Sequence, residues 1–193
     1  GGVGKLLLDY HAASGAGGEV LIGGRLVDEE GVEQAGSRRR ELTPHSALIE
    51  FLALYRLRKG LKRFNMHQEK LPDQTIPVPT ISGACMLLSK AGYDAIDGMD
   101  EGYFLHVEDV DFCRRFHRNG GQILFCPHVD ILHEGGSSDI KKRKVEKYKA
   151  QSLIRYFRTH FRGDYPPGTQ TLLSVAIWSG YAARVIRLWL SKL

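Results

Sequence analysis

Three acidic residues lie within four positions at the start of a predicted helix: Glu108, Asp109 and Asp111. The N-terminus of a helix carries a partial positive charge that favours an ionised carboxylate by roughly 0.3–1 kcal/mol. An ionised carboxylate can act as a general base and take a proton from a hydroxyl nucleophile. Acids in a first helical turn are also ordinary capping residues. The cluster therefore indicates either a catalytic base or a capped helix, and Asp111, which projects differently from Asp109, is suited to binding or orienting a substrate.

A histidine followed by paired glycines comes one predicted strand later, in the run His133, Glu134, Gly135 and Gly136. Imidazole is a common ligand for manganese or zinc-like cations, and glycines let the backbone approach a ligand closely. No other histidine stands at a recognisable ligand spacing from His133, and the sequence contains no zinc motif. The pattern is typical either of a metal ligand or of a hydrogen-bonded surface histidine.

The elements around the acidic cluster follow from the apolar pattern. Residues 81–88 predict a buried strand, and Ser89 is placed to cap a short helix that ends near Ile96. Apolar side chains at helical spacing predict a helix over residues 108–119. The paired glycines 120–121 are expected to end that helix, as left-handed caps do.

The elements that lead to His133 come next in the chain. A strand is predicted over residues 122–126, with Pro127 closing it, and a short apolar segment over 129–132 delivers His133. A basic and then aromatic helix is predicted over residues 140–161.

The N-terminal third is predicted to supply supporting structure. Residues 5–13 predict a short helix and residues 19–22 a strand. Thr43 is a suitable N-cap for a helix over 44–55. The arginines at 38–40 are expected to form a solvated loop, because runs of like charge are usually exposed.

Composition favours one domain with a real core and excludes few functions. The chain has 193 residues, of which 42% are hydrophobic and 25% charged. A net charge of +5 favours anionic partners such as nucleotide phosphates or lipid headgroups. Nucleic acid is not expected, since the basic runs lack interleaved aromatics in a recognisable motif. The three cysteines form no C-x-x-C pair and are expected to be reduced thiols of a cytosolic chain.

The C-terminal segment differs from the rest of the chain. Residues 163–168 are expected to form a hinge, and residues 169–193 an amphipathic helix at a membrane interface. The uncharged run over 171–183 is shorter than the ~20 residues of a membrane span. A helix packed on the domain or on a partner is an open alternative, and a tilted span is a third. One face of the helix carries a polar stripe, formed by Gly180, Arg184, Arg187 and Ser191.

The ordered motifs of residues 82–138 resemble the second half of family 2 glycosyltransferases, especially rhamnosyltransferase-type enzymes of cell-envelope polysaccharide assembly. The parts arrive in the family's order: a small-residue strand, GMDEGYF, EDVDFCRR, a strand with proline, and HEGG. The resemblance covers about residues 5–162. It implies an α/β fold that is part of a GT-A fold, the second half of a Rossmann-like mixed sheet with flanking helices, followed by the C-terminal amphipathic helix.

The resemblance also implies roles for named residues. Asp109 falls on the family's general base, which implies a one-step displacement that inverts the anomeric carbon. Asp111 falls on the second acid, and Glu108 belongs to the same substrate-binding cluster. His133 falls on the ligand of a divalent cation, Mn or Mg. A pair of small residues, Gly83 and Ala84, falls on the floor of the sugar site.

The implied partners are a nucleotide-diphosphate sugar donor and a saccharide or lipid-linked acceptor. The implied location is the cytoplasm. If the tail binds the membrane, the protein lies at the inner face of the cell membrane. Upstream of the motifs quoted above, nothing supplies the family's donor-side D-x-D-type motif, since Asp9 stands alone, and the sequence opens without methionine. We therefore expect a fragment, or a chain whose natural start lies upstream, that is inactive by itself. A catalytically inactive remnant or a partner-binding module of the same fold is the alternative.

Overall fold

The computed structural model describes residues 2–15, 17–51, 54–58, 60–134 and 142–190. In this part of the chain the helices are α1 (Gly2–Ser14), α2 (Pro44–Phe51), α3 (Lys90–Asp94), α4 (Glu108–Arg118), α5 (Lys142–Phe161) and α6 (Thr169–Leu190). The strands are β1 (Val20–Val27), β2 (Arg38–Arg39), β3 (Ile76–Pro77), β4 (Thr80–Ile81), β5 (Leu87–Leu88) and β6 (Gln122–Leu132). The predicted α/β class is confirmed.

A mixed sheet of four strands in the order β3-β6-β1-β5 forms the centre of the fold. The two long strands, β1 and β6, are parallel, while β3 and β5 pair with them antiparallel at the two edges. A second sheet contains only the short antiparallel pair β2 and β4. The long parallel pair is therefore the scaffold on which the connecting segments are placed.

Helices cover both faces of the parallel pair. Alternate residues of a strand point to opposite faces. Leu21 and Phe125 thus belong to a core cluster with Phe112 and Phe116 of α4, whereas Ile22 packs in a different cluster beneath α1. Strands buried on both faces are near-continuously apolar, which explains why seven of the eight β1 residues are buried.

Helix α4 begins and ends as the sequence predicts. Gly120 has a φ of 88°, which is left-handed, and its N–H donates to the carbonyl of His117. The Gly121 N–H donates to the carbonyl of Phe116, which completes the hydrogen-bond pair typical of a glycine-ended helix. The predicted cap of α3 is also confirmed, since the Ser89 hydroxyl accepts from the Gly92 N–H at 2.7 Å.

The predicted strand end at Pro127 is wrong, because β6 continues to Leu132. Its pairing with β1 shifts register where Gly24 faces Cys126 and Arg25 faces Asp130. Proline lacks a donor N–H and is tolerated at such irregularities. The bulge therefore lets one strand pass through Pro127 and reach His133.

The predicted single strand over residues 81–88 is also wrong. Ile81 pairs with β2, whereas Leu87 and Leu88 pair with β1, and a turn containing Gly83 separates the two. The two ends of this apolar run therefore pair in different sheets. This division places the Gly83 turn beside α4.

The predicted solvated loop over residues 38–40 is wrong. Arg38 is 2% exposed, donates to the Glu33 carboxylate at 2.9 Å and lies 5.2 Å over the Phe125 ring. Arg39 pairs with Asp109 of α4. Charges can be buried when they are paired, and here the partners come from outside the run.

Helix α6 packs against α5, which agrees with the alternative of a helix packed on the domain. Ile177 is buried, and Leu173 and Tyr181 pack partly buried around the same core. Arg184, expected on a polar stripe, forms a 2.8 Å ion pair with Glu146 of α5. Several large apolar side chains of α6 remain exposed, namely Leu172, Val175, Trp178, Ile186, Trp189 and Leu190. None of the helices in the described ranges is long and apolar enough to cross a membrane.

Candidate active site

A strained turn leads into α4 and presents the acidic cluster. His106 has a φ of 63° and Val107, the residue before the helix, a φ of 71°. Left-handed backbone is unusual for any residue except glycine and is costly for a β-branched one. Val107 keeps this conformation while its side chain is buried, at 7% exposure, in the core that α4 shares with α5. Tertiary packing therefore fixes where the helix starts.

Asp109 is buried at the first turn of α4 and accepts four N–H contacts. Arg39 Nη2 lies 2.5 Å from Oδ2, and Nη1 lies 3.4 Å from Oδ1. The Gly83 N–H donates to Oδ2 at 3.1 Å, and the Val110 N–H donates to Oδ1 at 2.8 Å. The residue predicted as the base is thus held by an arginine and two backbone groups.

Burial by itself would raise the pKa of Asp109, because it penalises the charged form. The charge and hydrogen bonds of Arg39, with the N–H groups of Gly83 and Val110, outweigh that penalty and lower the pKa. Asp109 is therefore ionised at neutral pH, as a general base must be before it accepts a proton.

Glu108 has the opposite environment from its neighbour. Burial, aided by the nearby charge of Asp109, raises the pKa of Glu108 above its ordinary value. Its Oε2 atom is buried and has no hydrogen-bond partner within the described residues. A buried carboxylate oxygen without a partner is unusual in a folded protein, and the role of Glu108 in substrate binding stays a prediction.

Asp111 is enclosed within the protein at 1% exposure. Its oxygens accept from the Tyr103 hydroxyl at 3.1 Å and Arg115 Nε at 2.7 Å, and His160 Nε2 lies at 2.6 Å. Burial would raise the pKa of Asp111, and His160 and Arg115 lower it on balance. These contacts join α4 to α5. Its predicted role in substrate binding stays a prediction, and the contacts favour a positioning role.

The two small residues predicted at the sugar site lie in the turn between β4 and β5. Gly83 and Ala84 are exposed, and the Gly83 N–H reaches Asp109. A Cβ atom at Gly83 would lie 3.2 Å from the Asp109 Cβ, closer than most side-chain contacts. Glycine at this position allows the turn to approach the carboxylate and leaves an open surface beside it.

His133 follows β6 and is oriented by Gln34. The ring Nδ1 lies 2.9 Å from Gln34 Oε1, while Gln34 Nε2 donates to the His133 carbonyl at 2.7 Å. Since an amide oxygen accepts only, Nδ1 carries a proton, and in the neutral imidazole Nε2 then keeps the lone pair. This tautomer fits a metal ligand whose second nitrogen is held by the protein.

A complete cation site is not found in the described residues, where no three His, Cys, Asp or Glu side chains are placed to hold one ion. The expected neighbours Gly135 and Gly136 lie outside the described ranges. No hydrogen bond or ion pair joins His133 to Asp109 in the part of the chain that is described. The structure brings Asp109, Glu108 and Gly83 together and leaves His133 separately oriented by Gln34. The role of His133 as a metal ligand stays a prediction.

Two residues of the site were not predicted from the sequence, Arg39 and Gln34. Arg39 stands in an arginine run that is typical of a solvated loop, and Gln34 has no motif. Their partners lie 70 and 99 positions away in the chain. No local signal could have indicated either contact.

Comparison with known proteins identifies the family of this chain. Residues 25–165 match the model of the family described as Glycosyltransferase like family 2, and this range includes Asp109, Asp111 and His133. The chain belongs to that family. The predicted relationship is confirmed, and with it the assignment of the fold as part of a GT-A fold.

Individual relatives share shorter stretches. The chain is 34% identical over 71 residues to N-acetylglucosaminyl-diphospho-decaprenol L-rhamnosyltransferase of Mycobacterium tuberculosis, which is 37% of this chain and 23% of that protein. It is 27% identical over 113 residues to a low-salt glycan biosynthesis hexosyltransferase of Haloferax volcanii, 58% of this chain and 32% of that one. A rhamnosyltransferase of Escherichia coli is 27% identical over 86 residues, which is 45% of this chain and 31% of that protein. The matches span about a quarter to a third of these relatives.

Proposed function

We propose that this chain forms the acceptor side of an inverting glycosyltransferase in which Asp109 is the general base. Asp109 takes the proton of an acceptor hydroxyl as that oxygen attacks the anomeric carbon of the donor sugar. The observation that carries the proposal is a buried carboxylate kept ionised by Arg39 at the family's base position. Glu108, the acid next to Asp109, binds a hydroxyl of the acceptor, and Gly83 and Ala84 form the floor beside it.

The substrates follow from the family and from the names of the relatives. The donor is a nucleotide-diphosphate sugar, and the acceptor is a saccharide or a lipid-linked sugar of cell-envelope polysaccharide synthesis. Support comes from a relative named for a diphospho-decaprenol acceptor and from two named for rhamnosyl transfer. Because no D-x-D-type pair stands upstream of Asp109, we expect the 193-residue chain to need a donor-binding half for turnover.

His133 is the residue of this chain that would bind a divalent cation, Mn or Mg, through its free Nε2. A cation bound there would neutralise charge on the leaving diphosphate. Gln34 contributes by holding the imidazole in one tautomer and one orientation. The described residues offer no cluster of three side chains that would complete the site.

The exposed apolar face of α6 is proposed to contact the inner face of the cell membrane. Two tryptophans lie on α6, and such rings suit the headgroup boundary. Trp189 is 63% exposed and Leu172 72% exposed, although α6 is anchored to α5 on its other side. A lipid-linked acceptor would be presented at the same surface.

The base is tested by Asp109→Asn in a protein that contains this chain and a donor-binding half. Transfer is measured from a panel of nucleotide-diphosphate sugars to N-acetylglucosaminyl-diphospho-polyprenol. Removing a general base lowers the rate by about 10²–10⁴-fold, while binding of the nucleotide sugar is expected to persist.

The matched control is Asp130→Asn, which removes a carboxylate paired with Arg25 at the surface. We expect this control to leave transfer unchanged. Unchanged turnover in Asp109→Asn would contradict the proposal. Absence of turnover in the unmodified protein with every donor would favour the alternative of a non-catalytic module.

A further inference from the structure

Arg39 approaches Asp109 from β2 and is held there independently of it. Arg39 pairs with Thr80 across β2 and β4, and its Nη2 also donates to the Ile81 carbonyl at 2.9 Å. The guanidinium lies 5.8 Å over the Phe64 ring. The side chains of Arg39 and Asp109 are only 11% and 13% exposed, so solvent screens their attraction weakly. The arginine is therefore a fixed charge at the site.

The four N–H contacts to Asp109 fall two on each carboxylate oxygen. Oδ2 is held tightly, by Arg39 Nη2 at 2.5 Å and by the Gly83 N–H at 3.1 Å. Oδ1 accepts from Val110 at 2.8 Å and meets Arg39 Nη1 only at 3.4 Å. A carboxylate offers about four lone-pair sites, so an incoming hydroxyl must displace one donor. The 3.4 Å contact is longer than an ordinary N–H···O bond of about 2.7–3.2 Å and is the weakest of the four.

We propose that Arg39 is a positioning residue that keeps Asp109 ionised, fixes Oδ2 and leaves Oδ1 as the oxygen that accepts the proton. This inference rests on the proposed role of Asp109. The acceptor hydroxyl replaces Nη1 at Oδ1. Its proton passes to Oδ1 while its oxygen bonds to the anomeric carbon, and the bond from that carbon to the diphosphate oxygen breaks. Arg39 stays protonated and transfers nothing.

Removal of Arg39 is expected to change the titration of Asp109 and not only the stability of the fold. Without the counter-charge, burial dominates and the pKa of Asp109 rises. In a transfer-competent protein the acidic limb of the kcat profile should then move to higher pH by at least about one unit, a tenfold change in proton affinity. KM for the nucleotide sugar should stay within about twofold of the unmodified value, because Arg39 contacts Asp109 and not the donor.

The experiment titrates the Asp109 side-chain carboxyl by ¹³C NMR in this chain. The resonance is assigned by its loss in Asp109→Asn. The variants are Arg39→Ala, Arg39→Gln and Arg39→Lys. The matched control is Arg40→Ala, an adjacent arginine that pairs with Glu69 in a more exposed position.

We expect the midpoint of Asp109 to rise by one unit or more in Arg39→Ala and Arg39→Gln, and to stay closer to the unmodified value in Arg39→Lys and Arg40→Ala. Equal midpoints in all five proteins would overturn the inference. If Arg39→Ala does not fold, Arg39→Gln and Arg39→Lys decide, since they differ mainly in charge.

The transfer assay separates this inference from the proposed function. If Asp109→Asn abolishes transfer but the Arg39 variants titrate normally, the base is correct and the role of Arg39 is wrong. If Asp109→Asn retains transfer, the acceptance of a proton at Oδ1 is wrong, whatever the titration shows.

Discussion

Asp109 and Asp111 lie two residues apart on α4 and have different surroundings. Asp109 meets Arg39 and the exposed Gly83 turn, whereas Asp111 is sealed between Tyr103, Arg115 and His160. In both, burial raises the pKa and cationic or hydrogen-bonding partners lower it on balance. Under the proposed function, Asp109 exchanges a proton with a substrate, whereas Asp111 joins two helices.

Asp111→Asn is expected to destabilise the fold at neutral pH by about 3–5 kcal/mol, the range found when one partner of a buried ion pair is removed. Because the pKa of Asp111 is lowered by folding, its stabilisation is fully present above the ordinary pKa near 3.9. It is lost as pH falls below that value towards the folded-state pKa. Urea unfolding at several pH values from 7 to 3 measures both effects, and the Asn variant should show the smaller loss on acidification.

The control for that measurement is Asp130→Asn. Asp130 is paired with Arg25, but its side chain is 49% exposed. Exposed pairs contribute about 0–1 kcal/mol, so a small change is expected at every pH. Equal destabilisation by the two substitutions would contradict the structural role assigned to Asp111.

The β1–β6 pair depends on a close approach at Gly24, where the register shifts. A Cβ atom there would lie 2.6 Å from the Val129 carbonyl oxygen and 2.9 Å from Ile131 Cγ1. Gly24→Ala should therefore cost about 1–3 kcal/mol, as overpacking usually does. Chemical denaturation measures the loss.

Gly180→Ala in α6 is the matched control, because among the described residues no atom outside the neighbouring helix backbone lies within 4 Å of the added Cβ. Alanine is favoured over glycine in a helix by up to about 1 kcal/mol, so this variant should be neutral or more stable. A neutral result for Gly24→Ala would show that the bulge adapts, and that its glycine is not needed.

The proposed membrane contact is a property of α6 as an element, because the exposed apolar side chains lie on one helix. The combined variant Leu172→Asp, Ile186→Asp and Trp189→Asp should reduce flotation with vesicles that contain phosphatidylglycerol several-fold. Each aspartate removes apolar area and adds repulsion from the anionic surface.

Leu57→Asp is the control for flotation, since Leu57 is 82% exposed and lies outside α6. It should float like the unmodified chain. Equal flotation of the α6 variant would remove the membrane proposal and favour a helix that serves only to cover α5. Thermal melting of each variant checks that the fold is retained.

At the scale of the molecule, the sequence predicts the elements whose signals are local. The spacing of apolar residues and the paired glycines define the body and the end of α4, and Ser89 defines the start of α3. These signals are local because helix periodicity and caps depend on near neighbours. Strand partners are not local. The split of residues 81–88 between two sheets, and the passage of β6 through Pro127, were therefore predicted wrongly.

The site, like the fold, is predictable from the sequence only where its signals are local. Asp109 stands out in the sequence as an acid at a helix start within an ordered set of family motifs. In the structure its pKa is lowered, so it has the ionised form that a general base requires. Arg39, which keeps it ionised, belongs to a run whose composition indicates solvent exposure. The contact exists because β2 pairs with β4 beside α4, and nothing in the residues around Arg39 encodes that pairing.

The left-handed conformation of Val107 couples the proposed active site to parts of the molecule far from it. Its side chain shares one core with Tyr156 and Phe157 of α5 and with Ile177 of α6. Backbone strain of about 1–3 kcal/mol persists only while the surrounding packing enforces it. A substitution that loosens this core lets the turn relax and moves Asp109 away from Gly83. Laboratory evolution for sugar transfer would thus find gains and losses in α5 and α6, at residues that never meet a sugar.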